Sequence, residues 1–271
     1  LIDEFHVEPA RAKIVRDCVK NQKGYKNSSD ENVALFVNIP FCPTRCSYCS
    51  FISTEIGRVK KQIPLYTESL VEEIELSKEL VKRAKKKVTS IYVGGGTPPA
   101  LGAEYLDKVL SPLKEYNVEF TVEAGRPDVI TDEITDVLLR NNVTRVSVNP
   151  QTFKQSTLDL IGRKHTVEDI YTAYDRVRGR FDVNMDLIAG LPEESFDDFA
   201  ESIEKTLDLR PENITVHTLS LKRGSVLTLS GAVKEADGLI KDMGDFAIKK
   251  LYDAGYVPYY MYRQKNMADN L

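Results

Sequence analysis

The chain has 271 residues, 42% of them hydrophobic and 29% charged, enough to bury one large core or two small ones. Forty-one Asp and Glu against 37 Lys and Arg leave a net charge of −4, which disfavours a general nucleic-acid binder, a class with a strongly basic balance. No run of about 18 apolar residues occurs, so no membrane span is expected, and the opening LIDEFHVEPARAK lacks the basic-then-apolar order of a secretory signal, so a cytoplasmic location is expected.

Residues 1–32 read as a helical segment followed by a polar connector. From there β-branched runs recur at 34–41, 89–96, 119–125, 145–151, 182–190 and 213–221. Stretches with helical spacing separate them. The first begins near Pro64, repeats Leu70, Ile74, Leu80, Val81 and Ala84 at helical steps, and ends in the basic run Lys82 to Lys87. Further helices are predicted near 102–116, 131–141, 166–179, 195–209 and 240–254. Six strands each followed by a helix predict an α/β fold of parallel strands, as an open partial barrel or a doubly wound sheet. In both, chemistry belongs at the carboxyl ends of the strands. The notable residues fall there: three cysteines after the first strand, Gly94 to Thr97 after the second, Glu123 on the third, Gln151 on the fourth, Asp186 on the fifth and Ser220 near the end of the sixth. A core over 33–255 is expected, with 256–271 opening a C-terminal extension of a longer protein.

Three of the four cysteines, Cys42, Cys46 and Cys49, lie within eight residues. Thiols at spacings of four and three fit one loop around a compact inorganic cluster, and a 4Fe-4S cube takes Cys thiolates as its usual donors. Three ligands leave one iron open to an exogenous group. Structural zinc normally takes four ligands as two separated pairs, and no second pair is present. A lone nucleophilic thiol would not explain the other two. Cys18 sits on the predicted N-terminal helix and reads as an inert helix residue.

The CxxxCxxC spacing, with Tyr48 before the last cysteine, resembles the signature of radical S-adenosylmethionine (SAM) enzymes. The segments LFVNIPFC, GGGTP, VEAGRPD, VSVNPQTF, LIGRKHT and NMDLIAGLP, in that order, are similar to the oxygen-independent coproporphyrinogen III oxidase group of that superfamily. The resemblance covers roughly 34–221 and implies a partial (β/α)6 barrel holding a 4Fe-4S cluster on Cys42, Cys46 and Cys49. It also implies SAM contacts at Phe36, Gly95, Gly96, Thr97, Glu123, Gln151, Arg163, Asp186 and Ser220, with Tyr48 packed on adenine or a neighbouring ligand. By physical type, Arg163 suits a carboxylate, Asp186 ribose hydroxyls and Glu123 an amino group.

Two positions depart from the resemblance: members carry a tyrosine where Phe36 stands and a further cysteine where Phe51 stands. The implied reaction is oxidative decarboxylation of two propionates of coproporphyrinogen III, driven by a low-potential donor such as flavodoxin or ferredoxin. A haem chaperone on the same core is the alternative. Neither reading involves nucleic acid or a membrane. Arg126, Arg263, Gln264 and Lys265 are candidates to meet a tetracarboxylate tetrapyrrole. His165 and His217 are expected in structural hydrogen bonds, and the tyrosines of 252–262 in packing.

Overall fold

The computed structural model describes residues 7–23, 29–49, 51, 54–220, 225 and 237–261. Its frame is one parallel sheet of β1 (Asn32–Ile39), β2 (Lys87–Gly95), β3 (Glu119–Gly125), β4 (Arg145–Val148), β5 (Asp182–Ala189) and β6 (Asn213–Thr218), in sequential order. Each strand adds beside its predecessor, so the sheet curls into a half-barrel with β1 and β6 at its margins. The helices are α1 (Pro9–Gln22), α2 (Ile63–Arg83), α3 (Ala103–Leu110), α4 (Asp132–Arg140), α5 (Gln155–Leu160), α6 (Val167–Val177), α7 (Phe196–Leu209) and α8 (Asp237–Asp253).

Strand alternation builds two faces. Val37, Ile39, Ile91, Val93, Phe120, Val122, Val146, Val148, Val183, Met185 and Leu187 point toward the helices and are nearly all fully buried. The opposite, concave face carries Phe36 and Asn38, Tyr92, Thr121 and Glu123, Arg145, Asn184 and Asp186, then Asn213, Thr215 and His217. Register confirms the grouping: Phe36 lies beside Tyr92, Tyr92 beside Thr121, Thr121 beside Arg145, and Asp186 beside Thr215. One wall of the lumen is thus polar while the other side of the same sheet forms the core.

The helices start where their sequences direct. Thr166 with Asp169 opens α6 and Ser195 with Asp198 opens α7, each as a reciprocal capping box, and Thr131 caps α4 by accepting from Ile134 N. Three differences from the sequence reading have local causes. β4 stops at Val148 because Pro150 has no N–H to donate and Gln151 turns to a φ of +69°, bridging Leu187 alone. α3 ends at Leu110, and Ser111–Leu113, with Pro112 at its start, tightens into a 3-10 turn. The six-residue α5 is too short for its periodicity to announce.

α1 docks against α8. Ile14 and Cys18 are its buried residues, Tyr252 Oη donates to Asp17 Oδ2 at 3.0 Å, and Lys13 Nζ lies 4.2 Å from the centroid of the Tyr252 ring. None of the described helices is long and apolar enough to cross a membrane.

Candidate functional site

The end of β2 and the cysteine loop approach by backbone alone. Gly96 N donates to Ile39 O at 2.8 Å and Thr97 N to Phe41 O at 2.7 Å. A Cβ on Gly96 would stand 2.5 Å from Phe41 O and 2.8 Å from Phe41 N, so only glycine permits the contact. Gly95 takes a φ of +107° beside Asn38. Thr97 Oγ1 then reaches Cys42 Sγ at 3.6 Å, tying the Gly94 to Thr97 segment to the first cysteine.

The loop is held from below. Ser47 N donates to Ile161 O at 3.0 Å and Thr44 Oγ1 to Gly162 O at 3.1 Å. Arg126, only 3% exposed, donates to Thr44 Oγ1 at 2.6 Å and forks onto Asp128 at 2.9 and 2.8 Å. The expectation that Arg126 meets a substrate is therefore corrected: its guanidinium is a strut under the cysteine loop. Arg263, Gln264 and Lys265 lie outside the described residues, as does Tyr262.

Arg163 is buried in the same support, donating to Asn149 O at 2.6 Å and Tyr48 Oη at 3.2 Å, with Cys46 nearby. Burial opposes its charge, but Tyr48 and Cys46 outweigh that and raise its pKa; its Nε has no partner. Burial pushes the Tyr48 phenol well up, and Arg163 offsets part of the rise. Burial likewise raises the Cys49 thiol, with Cys46 and Cys42 adding to it. His165 departs from its expected hydrogen-bonding role. Both ring nitrogens are buried without partners, and burial, with Arg163 nearby, lowers its pKa to about 3, so the ring is neutral.

The lumen face supplies a second group. The Tyr92 hydroxyl and the Gly95 N–H lie near enough to the Glu123 carboxylate to favour its charged form. Burial raises the Glu123 pKa, Asp186 raises it further, and Tyr92, Gly95 and His217 pull it back. Asp186 Oδ1 accepts from Asn184 Nδ2 at 2.7 Å, and its Oδ2 lies 3.4 Å from His217 Nε2. Gln151 joins through its backbone, with its N–H donating to Asp186 O at 2.9 Å and its carbonyl accepting from Ile188 N at 3.0 Å. Phe36, 64% exposed, stacks on Tyr92 with centroids 5.9 Å apart. Ser220 lies two residues past β6.

Two sets emerge from the expected residues: Gly95, Gly96 and Thr97 against the cysteine loop with Tyr48 and Arg163 beneath it, and Glu123, Asp186, Gln151 and Phe36 around the lumen. Tyr92, Asn38 and His217 complete the second set. Tyr92 is not among the expected residues, although alternation within SIYV places it on the Glu123 face.

The donor set fits an iron-sulfur cube. Among the described residues no three His, Cys, Asp or Glu side chains gather around a single ion. The three thiols lie on one loop, with Cys46 and Cys42 near enough to Cys49 to help raise its pKa, and one loop of three thiols suits the wide ligand shell of a cube.

The family profile described as "Radical SAM superfamily" matches residues 37–206. The chain belongs to the radical SAM superfamily. It is 41% identical over 251 residues to the oxygen-independent coproporphyrinogen-III oxidase-like protein HemZ of Bacillus subtilis, a match spanning 89% of this chain and 50% of that one. It is 34% identical over 200 residues to the heme chaperone HemW of Lactococcus lactis, spanning 71% of this chain and 50% of that one. The solved coproporphyrinogen III oxidase HemN of Escherichia coli, 24% identical, superposes with a TM-score of 0.73 over 87% of this chain and 56% of that chain. The half-barrel is therefore the radical SAM fold, whose cofactors are a 4Fe-4S cluster and SAM. The chain spans about half the length of the curated relatives it matches.

Proposed function

We propose that this radical SAM protein oxidatively decarboxylates propionate side chains of coproporphyrinogen III in haem biosynthesis. The observation that carries the reading is the meeting, at one end of a polar lumen, of a three-thiol loop, a glycine-only backbone approach and the Glu123–Asp186 carboxylate pair. Cys42, Cys46 and Cys49 would hold the cluster, leaving one iron for SAM. Together cluster and SAM supply one-electron cleavage of a sulfonium and a 5′-deoxyadenosyl radical able to take hydrogen from a propionate β-carbon.

The chain's own part is binding and enclosure. Gly95, Gly96 and Thr97 let backbone approach the methionine end of SAM. Glu123 offers oxygen to an ammonium and Asp186 to ribose hydroxyls. Gln151 fixes the Asp186 strand, Tyr48 and Phe36 present aromatic faces, and the buried Nε of Arg163 is a donor still to be satisfied. Ser220 lies on the same rim. The wall of Tyr92, Thr121, Asn184 and Thr215 shields reacting groups from bulk water. The reading assigns the chemistry to 33–255, with the helical segment 1–32 before it and residues 256–271 after it. It places the protein in the cytoplasm beside a flavodoxin- or ferredoxin-type donor. A second reading, a haem chaperone, is favoured by the identity to HemW.

Anaerobically reconstituted chain is expected to carry about four irons. It should release 5′-deoxyadenosine under a low-potential reductant and convert coproporphyrinogen III to a vinyl product detectable by mass spectrometry. Cys18→Ala should keep the iron, and the triple variant C42A/C46A/C49A should lose it. Haem binding without any vinyl product would move the reading to the chaperone.

A further inference from the structure

The lumen wall is not uniformly acidic. Arg145 opens β4, and its register partner Thr121 lies on the Glu123 face, two residues before Glu123. Two residues of strand are about 7 Å, so the arginine stands one tier below Glu123 and, through its register with Asp182, two tiers below Asp186. Its charge is felt at the Tyr92 hydroxyl, where Glu123 and Asp186 also act. Val146 and Val148 point the other way into the core, which fixes the side of the sheet that Arg145 occupies.

The head group of this arginine is underused. A guanidinium has five N–H donors. One, on Nη2, goes to Tyr259 Oη at 3.3 Å, and no other hydrogen bond from Arg145 occurs among the described residues. Among the described residues no carboxylate forms an ion pair with Arg145, Asp182, its register partner on β5 and on the same face, included. Arg126, by contrast, is bound on three sides. Arg145 thus presents a planar, permanently charged fork toward the lumen, held on one nitrogen by a neutral phenol.

We propose that Arg145 is a carboxylate receptor for the substrate, pairing with a propionate of the tetrapyrrole while Glu123 and Asp186 hold the opposite polarity above it. The proposal rests on the reading that a tetrapyrrole enters this half-barrel. A ligand with ammonium and hydroxyl groups at the strand ends and a carboxylate deeper in the lumen matches this order of charges. The carboxylate could belong to the substrate or to the methionine of SAM. The position of Arg145, below the glycine segment and further still below the cysteine loop, favours the substrate.

The test is binding without turnover. Coproporphyrin III and its tetramethyl ester are titrated, by absorbance or fluorescence quenching, into cluster-reconstituted whole chain as wild type, Arg145→Gln and Arg145→Lys. SAM affinity, iron content and thermal unfolding are measured alongside. Wild type is expected to hold the tetra-acid at least tenfold more tightly than the ester. Arg145→Gln should lose about tenfold or more for the acid and little for the ester, Arg145→Lys should lose less, and SAM affinity and iron content should stay unchanged. An unchanged Kd of the acid in Arg145→Gln overturns the assignment and leaves the tetrapyrrole reading standing. A matching loss of SAM affinity assigns the arginine to the cofactor and overturns it as well. If Arg145→Gln fails to fold, equal binding of acid and ester by wild type, or an Arg145→Lys variant indistinguishable from it, is decisive against. A wild type that binds neither porphyrin removes the tetrapyrrole reading together with the proposal.

Discussion

At the scale of single residues, buried groups divide into those with complete partners and those without. Glu194, 7% exposed in the loop after β5, accepts from Thr152 Oγ1 on one oxygen, while the other has no partner. Burial, only partly offset by Thr152, raises its pKa from 4.5 to about 7. A carboxyl whose folded pKa lies above its unfolded value binds its proton more tightly in the native state. It therefore weakens the fold progressively as pH rises from about 4.5 to about 7, with no further change above. Glu194→Gln keeps an acceptor for Thr152 and removes the ionisation. It should raise stability at pH 8 by about 1–3 kcal/mol and leave it nearly unchanged at pH 5, as read by thermal unfolding at the two pH values. The pattern of Cys42, Cys46 and Cys49 is legible in sequence because a loop's ligand spacing is local, and Glu123 and Asp186 stand out as carboxylates near strand ends among β-branched neighbours. That Arg126 is claimed by Asp128 and Thr44 is not legible there, since it depends on how two separate loops pack.

At the scale of elements, the strands were readable from their β-branched runs and the helices from their caps, while boundaries moved where proline intervened, as at Pro150 and Pro112. The approach of β2 to the cysteine loop was only half readable. Three glycines in a row announce a close contact without saying with what. The structure gives the partner as backbone, namely Phe41 N and O and Ile39 O, each within 2.9 Å of the position a Gly96 Cβ would take. Backbone inside a ladder cannot rotate aside as a side chain can, so Gly96→Ala must push the end of β2 away from the loop. That variant should lose about 1–3 kcal/mol in chemical denaturation, as overpacked sites do, together with part of its iron. Gly57 provides the control. It lies in the 3-10 turn Ile56–Arg58, and a Cβ there would meet nothing within 4 Å. Gly57→Ala should stay within about 0.5 kcal/mol of wild type with full iron loading. Equal iron loading in the two variants would show that the glycine approach does not position the cysteines.

At the scale of the molecule, the described parts near the two ends of the chain meet beside the lumen. Asn21 Nδ2 donates to Pro258 O at 2.8 Å and Gln22 Nε2 to Tyr259 O at 2.6 Å, so the last turn of α1 holds the backbone of the residue whose phenol meets Arg145. Tyr256 Oη, donating to Pro211 O at 2.6 Å, fastens the same segment next to β6. These contacts surround a groove of about 330 Å³ lined by Ile14, Thr215, Val216, Leu251 and Tyr259 among others. No single stretch of sequence foretold this, because both bonds join residues 237 positions apart and use side-chain amides that any polar helix end could carry. Net gains from two such bonds are about 1–3 kcal/mol, and their partial exposure puts them at the low end. Replacing both amides, N21A/Q22A, should leave the sheet's protection from hydrogen exchange intact. The amides of 256–261 that are hydrogen-bonded should exchange about 5- to 10-fold faster, because local opening of this segment no longer has to break its tie to α1. Exchange that accelerates equally through β3 to β5 would mean that α1 supports the whole half-barrel, and unchanged exchange at 256–261 would mean that Tyr256 and the surrounding packing alone set the place of Tyr259.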